Sequence, residues 1–133
     1  MTPPERRILL IDDDPFFLRI LADAFRETGF SVITACDGVE GVKLYSEQRP
    51  QVVISDLIMP KMGGVSTCME ISRLAGDQDP IIVLLTSMFQ EPPHVHDEPE
   101  MGAKVHIPKS TKPLDIVILI EQLLDRKKAG LQR

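Results

Sequence analysis

Apolar residues in this chain gather into short runs rich in Ile, Leu and Val, namely Ile8–Ile11, Ser31–Ala35, Gln51–Ser55, Ile81–Leu85 and Val105–Ile107. The runs recur at spacings of roughly 20–25 residues, with helix-like segments between most of them. A continuous run, as opposed to an alternating one, suits a strand covered on both faces, which is how parallel sheets sit between helices. The intervening segments carry helix punctuation. Asp14 before Pro15 reads as an N-cap before a first helical proline, and Gly29 closes that helix. Within it Phe17, Ile20, Leu21, Ala24 and Phe25 share one face, the spacing of a helix lying on a sheet. Asp37-Gly38 opens a second helix and Arg49-Pro50 ends the connection after it. Gly63-Gly64 precedes a third helix, Val65 to Ala75, and Pro113 starts a last one that runs through Leu123-Leu124.

One stretch departs from this alternation. Gln90–Glu100 holds Pro92, Pro93 and Pro99, and a proline inside a helix costs about 3 kcal/mol or more. A full helix between the fourth and fifth strands is therefore not expected, although a turn starting at Pro93 or Pro99 is compatible with the sequence. The expected fold class is α/β: a doubly wound, five-stranded parallel sheet with helices on both faces, the fourth helix short, irregular or missing.

At 133 residues, 43% hydrophobic and 26% charged, the chain has the size and composition of one ordinary soluble domain. No stretch reaches the roughly 18 apolar residues of a membrane helix, and no membrane association is expected. The first seven residues lack the apolar run of a signal peptide, so the chain is read as cytoplasmic. Twenty acidic against fifteen basic side chains, a formal charge of −5, argue against a nucleic-acid surface of the domain's own. Cys36 and Cys68 lack zinc or redox spacing and read as buried small hydrophobes in a reducing compartment.

In open parallel sheets, ligands bind outside the carboxyl ends of the strands. Here those ends carry a coherent polar set: Asp12-Asp13-Asp14 after the first run, Asp56 after the third, Thr86-Ser87 after the fourth and Lys109 after the fifth. Carboxylates about 4–5 Å apart repel by roughly 3–4 kcal/mol per pair at an effective dielectric near 20, so converging aspartates call for a counter-charge. A divalent cation that prefers oxygen ligands, Mg²⁺ above all, would supply it. Helix capping accounts well for Asp14 and poorly for an acid that terminates an apolar strand at Asp56.

This ordered set resembles the response regulator receiver domain of two-component signalling, as in chemotaxis regulators. The motifs are Asp12-Asp13, the block Asp56-Leu57-Ile58-Met59-Pro60-Lys61-Met62-Gly63-Gly64, Thr86, and Gly102-Ala103 seven residues before Lys109. The resemblance runs from about Arg7 to Leu124. It implies a single receiver domain over 1–133, with 125–133 a basic tail or the start of a linker, and a flavodoxin-like strand order 2-1-3-4-5. It further implies that Asp56 takes a phosphoryl group from a sensor histidine kinase or phosphotransfer protein. Mg²⁺ would be held by Asp13, Asp56 and the backbone carbonyl of Ile58, with Asp12 acting through a bound water. Lys109 and the Thr86 hydroxyl would stabilise charge on the phosphoryl oxygens.

Lys112-Pro113 is a rival for the lysine, but Lys109 keeps the register after Gly102-Ala103 and leaves Pro113 at the helix start. His106 stands where the family usually has a switching aromatic, and it reads equally as a half-buried filler. His94 and His96 lack carboxylate or cysteine neighbours at ligand spacing and make a poor metal site. Ile58 and Met88 stand at the positions that flank the attacking water in the family, and two apolar side chains there favour slow hydrolysis. In the last helix Ile116, Val117, Ile120, Leu123 and Leu124 form the core face, whereas Ile118 and Leu119 lean outward as candidates for a homodimer or effector contact beside the last strand. The prolines make the loop that contains them the expected mobile element. Two other readings stay open: a receiver-like binding module that does not cycle phosphate, and a haloacid-dehalogenase-type phosphohydrolase using Asp12 and Asp14. The second lacks that family's Gly-Thr and its later acidic pair.

Overall fold

In the computed structural model, residues 6–87, 94–100 and 102–130 are described. The order is β1 (Arg7–Ile11), α1 (Pro15–Glu27), β2 (Ser31–Ala35), α2 (Gly38–Gln48), β3 (Val52–Asp56), α3 (Gly64–Ala75), a 3₁₀ turn (Gly76–Gln78), β4 (Ile81–Thr86), β5 (His94–Glu100), β6 (Ala103–Pro108) and α4 (Pro113–Lys128). The sheet runs β2-β1-β3-β4-β6-β5. Its five parallel strands, β2, β1, β3, β4 and β6, have the 2-1-3-4-5 order of a flavodoxin-like fold.

Alternation within the apolar runs sorts side chains to the two faces. Ile8, Leu10, Ile54, Val83, Leu85, Val105 and Ile107 join one core under α1 and α4. Leu9, Ile11, Val53, Ile82 and Leu84 join the other, with Tyr45 from α2 and Cys68, Ile71 and Ala75 from α3. The capping signals act as read: Asp14 accepts from the backbone N–H of Phe16 and Phe17, and Asp37 accepts from Glu40 N–H.

Several expectations are corrected. The proline-containing stretch carries an added sixth strand, β5, antiparallel to β6 at the sheet edge, and Pro99 lies inside that strand instead of opening a turn. An edge strand tolerates proline because only one of its sides must donate to a ladder, and the β5–β6 register shifts between Val95 and Glu100. The expected loop residues 88–93 lie outside the described residues. Ile20 is exposed and the buried face of α1 is Leu18, Leu21, Ala22 and Phe25, a rotation of the stripe by about one position. Leu119 packs partly against the α1–α4 core, so of the outward-leaning pair only Ile118 is exposed. Residues Asp125–Lys128 continue α4, and Arg126, Lys127 and Lys128 in its last turn complement the helix dipole. Cys36 is exposed because it follows β2 and lies outside it; Cys68 is buried and its thiol is pushed up to about 12.

Candidate functional site

The acidic residues meet because strands β1 and β3 are neighbours and end together. The backbone N–H of Asp12 still bonds Ala35 O at 3.1 Å, so Asp12 extends the sheet by one position beyond Ile11. Its Oδ1 accepts from Asp14 N–H at 2.9 Å, which turns the chain into α1. Asp56 is the last residue of β3, and the next backbone N–H, that of Leu57, bonds Leu85 O at 3.0 Å. Glycine is required at position 64, since a Cβ there would run into the carbonyl oxygen of Asp56. The first turn of α3 is thereby held directly against the end of β3. Asp12 and Asp56 are buried, at 2% and 6% exposure, and Asp13 is open to solvent.

From the other half of the sheet, the backbone N–H of Lys109 bonds Thr86 O at 2.8 Å, which fixes where the lysine leaves β6. Its Nζ lies 2.9 Å from Asp12 Oδ2 and 3.3 Å from Asp56 Oδ2. Burial opposes the ammonium charge, but the two carboxylates outweigh it and hold Lys109 above the ordinary lysine value. Asp56 moves up from the ordinary aspartate value, through burial first and the neighbouring Asp12 charge second; Lys109 offsets this only in part. Lys112 is exposed and occupies the N-cap position of α4 without a side-chain capping bond. Thr86, at the end of β4, and His106, opposite Leu84 in the β4–β6 register, are both buried. Ile58 lies two residues past β3 with its side chain exposed. Asp14, exposed, is engaged in capping α1 and stands outside the acidic cluster.

Oxygens from Asp12, Asp13 and Asp56 lie within 4.8 Å of one another. Asp12 Oδ2 is fully buried, and among the described residues its charged partner is the Lys109 ammonium. An all-oxygen set in which two buried carboxylates share a single ammonium beside a third, exposed carboxylate fits a hard divalent cation such as Mg²⁺. Ligand positions for His94 and His96 lie in side chains outside the description.

Sequence reasoning missed one neighbour of the site. The ring of Phe17 has its centroid 4.7 Å from Lys109 Nζ. The signal was available: Pro15 starts α1, so Phe17 falls in a first turn at the carboxyl end of the sheet, where the ligands gather.

The sequence pattern of the response regulator receiver domain matches residues 8–121. The chain belongs to this family. Among curated relatives, the receiver domain is 31% identical to the DNA-binding dual master transcriptional regulator RpaA of Synechocystis over 127 residues, 96% of this chain and 49% of that protein. It is 35% identical to the response regulator MprA of a Mycobacterium species over 127 residues, 96% of this chain and 51% of that one. The chain thus spans about half the length of these relatives. A receiver domain from Clostridium thermocellum superposes with a TM-score of 0.75 at 26% identity, covering 92% of this chain and 97% of that one. A CheY-like receiver domain from Methanospirillum hungatei shares the fold, with a TM-score of 0.79 at 21% identity over 95% of this chain and 98% of that one. Receiver domains are signalling phosphoacceptors of two-component systems that interact with histidine kinases and bind Mg²⁺ at an acidic pocket. Among the described residues no helix is long and apolar enough to cross a membrane.

Proposed function

We propose that Asp56 is the phosphoacceptor of this receiver domain and that Asp12, Asp13, Asp56, Thr86 and Lys109 form its site. The observation that carries the reading is the position of Lys109 Nζ, within 3.3 Å of Asp56 Oδ2 and 2.9 Å of Asp12 Oδ2, at the meeting point of β1, β3 and β6. A carboxylate oxygen of Asp56 forms a P–O bond while the P–N bond of a donor phosphohistidine breaks, and the imidazole leaves as the neutral base once protonated. Asp13, Asp56 and the Ile58 carbonyl would hold Mg²⁺, with Asp12 acting through a water, and the cation would neutralise charge on the phosphoryl oxygens. Lys109 and the Thr86 hydroxyl each donate to a phosphoryl oxygen, in a crevice where burial strengthens every such contact. The domain is a phosphoacceptor that assists its own labelling and is not a turnover enzyme.

Thr86 and His106 are the switch elements of this reading: both are buried on the β4–β6 pair that borders Lys109. The domain works in the cytoplasm with a histidine kinase or phosphotransfer protein, and its output passes through the face of β6 and α4 near Ile118 to an effector or second copy. With a formal charge of −5, the domain itself makes no direct nucleic-acid contact. Incubation with acetyl phosphate and Mg²⁺, followed by intact mass, tests the reading. Gain of one phosphoryl group, absent without Mg²⁺, is expected; no gain would leave a binding module that does not cycle phosphate.

A further inference from the structure

We propose that Phe17 is a positioning residue for Lys109, its ring face holding the ammonium in the site when the aspartates are taken up by metal and phosphoryl group. The proposal rests on the reading of Asp56 as phosphoacceptor, and its geometry stands apart from it. Among the described residues, three groups lie around Lys109 Nζ: Asp12 Oδ2 at 2.9 Å, Asp56 Oδ2 at 3.3 Å and the Phe17 ring, centroid at 4.7 Å. The first two are the carboxylates whose charge a cation and a phosphoryl group would claim. The ring is different in kind. Its quadrupole attracts a cation, yet it carries no net charge and no acceptor oxygen, so it neither repels an incoming phosphoryl group nor competes with it for the N–H donors of the lysine.

The ring is held in place by the helix start. Asp14 accepts from the backbone N–H of Phe16 and Phe17, Pro15 sets the first helical position, and the Phe17 side chain packs partly against the α1–α4 core. Lys109 is fixed at its own base by the bond from its N–H to Thr86 O. A long side chain anchored at one end loses less rotamer freedom on reaction when its tip already rests on a fixed surface. Leucine in place of Phe17 would keep apolar contact and remove the attraction.

The test compares Phe17→Leu, Phe17→Tyr and the exposed neighbour Phe16→Leu, each with Lys109 present and with Lys109→Ala. The initial rate of phosphoryl uptake from acetyl phosphate at saturating Mg²⁺ is measured by intact mass. Phe17→Leu is expected to slow uptake by about two- to thirtyfold, the range of a cation–π contact from exposed to desolvated. Phe17→Tyr restores the rate and Phe16→Leu leaves it unchanged. With Lys109 absent, Phe17→Leu has no further effect. A readout independent of activity is the Lys109 side-chain methylene resonance in the metal-free protein, shifted upfield by the ring, returned to its ordinary position in Phe17→Leu and kept upfield in Phe17→Tyr. If Phe17→Leu fails to fold, Phe17→Met takes its place. Equal slowing in the presence and absence of Lys109, or an unshifted Lys109 resonance in the wild type, overturns the proposal. A wild type that takes up no phosphoryl group but shows the shifted resonance overturns the reading of Asp56 and leaves the Phe17–Lys109 contact supported.

Discussion

The two halves of the sheet are built differently. On the β2-β1-β3 side every strand is parallel and each is followed by a helix, so the carboxyl ends of β1 and β3 are fixed by regular crossovers and by cores on both faces. On the other side β4 leads to an antiparallel β5–β6 hairpin whose ladder shifts between Val95 and Glu100, and the glycine of its turn, Gly102, has φ +80°. A Cβ at Gly102 would also approach Met69 N to 2.5 Å, so the start of β6 presses on the backbone of α3. The regular half supplies all three aspartates; the irregular half supplies Thr86, His106 and Lys109. The aspartates thus sit on the half built from regular crossovers, and Thr86, His106 and Lys109 sit on the half where the chain departs from a simple α/β repeat.

The largest effect that would break this division lies in the regular half. Asp56→Asn is expected to abolish phosphoryl uptake, and Asp14→Asn to leave it largely intact, because Asp14 caps α1 and stands outside the acidic cluster. Asparagine caps a helix about as well as aspartate, so Asp14→Asn should also leave stability nearly unchanged, whereas Asp14→Ala should cost on the order of 1 kcal/mol. Intact mass after acetyl phosphate treatment distinguishes the two variants, and full labelling of the Asp56→Asn protein would move the acceptor elsewhere.

The same division governs what the sequence disclosed. The five parallel strands were legible because double-sided burial leaves unbroken aliphatic runs, and the ends of those runs pointed to Asp12, Asp13, Asp56, Thr86 and Lys109. Lys109 could be separated from Lys112 because Pro113 marks the start of α4. The strand β5 was not legible. Its His-Val-His-Asp-Glu-Pro-Glu sequence has no apolar alternation, and proline speaks against a strand everywhere except at an edge, which local sequence does not reveal. Cys36 was misjudged because a cysteine one residue beyond a strand has the same local signal as one within it. Ile20 was misplaced because Phe17, Ile20 and Ala24 fit a stripe nearly as well as Leu18, Leu21 and Phe25, and only packing against β1 and α4 selects between them. The Phe17–Lys109 contact joins residues far apart in sequence; helical periodicity puts Phe17 on the core stripe, and only its place in the first turn of α1 pointed towards the site.

Next in size is the test of whether the halves fold as one unit. Ile54 in β3 and Ile107 in β6 are buried in the same core under α1 and α4. Truncating either to alanine is expected to cost about 2–5 kcal/mol, lost transfer energy plus a cavity. Urea unfolding should remain a single transition for both variants. A separate early transition in Ile107→Ala alone would show that the β6 side melts independently of the strands that carry the aspartates.

A smaller effect concerns the charge stored in the regular half. Asp56 is raised above 3.8 by burial and by Asp12, so in the metal-free protein its ionisation opposes folding. The native state binds the proton more tightly, and stability therefore falls as pH rises from 3.8 through the folded value and stays reduced above it. The metal-free Asp56→Asn protein is expected to melt higher than wild type at neutral pH, with the gap closing as pH falls through that window. Lys109, raised above 10.5, contributes stability that is present below 10.5 and lost as pH rises through its folded value. Mg²⁺ should close the neutral-pH gap by stabilising the wild type selectively. Thermal melts with and without Mg²⁺ across this range check the sign; a wild type that melts higher than Asp56→Asn in EDTA at neutral pH would refute it.

The smallest expected effect lies on α4, the helix that follows Lys109. Its buried face is Ile116, Val117, Ile120 and Leu123, Leu119 packs partly against the same core, and Ile118 is exposed at 49%. Ile118→Glu should change the unfolding free energy by no more than about 0.5 kcal/mol, the range of surface substitutions. Leu119→Ala should cost more, since it withdraws area from the α1–α4 contact, where burial is worth roughly 25 cal/mol per Å². An exposed isoleucine that leaves stability untouched is free to serve binding, so Ile118→Glu is a clean probe of the proposed output face. Sedimentation of the phosphorylated protein, with and without this change, reads that role directly. If phosphorylation drives self-association through this half of the molecule, Ile118→Glu weakens it while leaving labelling of Asp56 at the wild-type rate; association that survives the added charge places the contact on another surface.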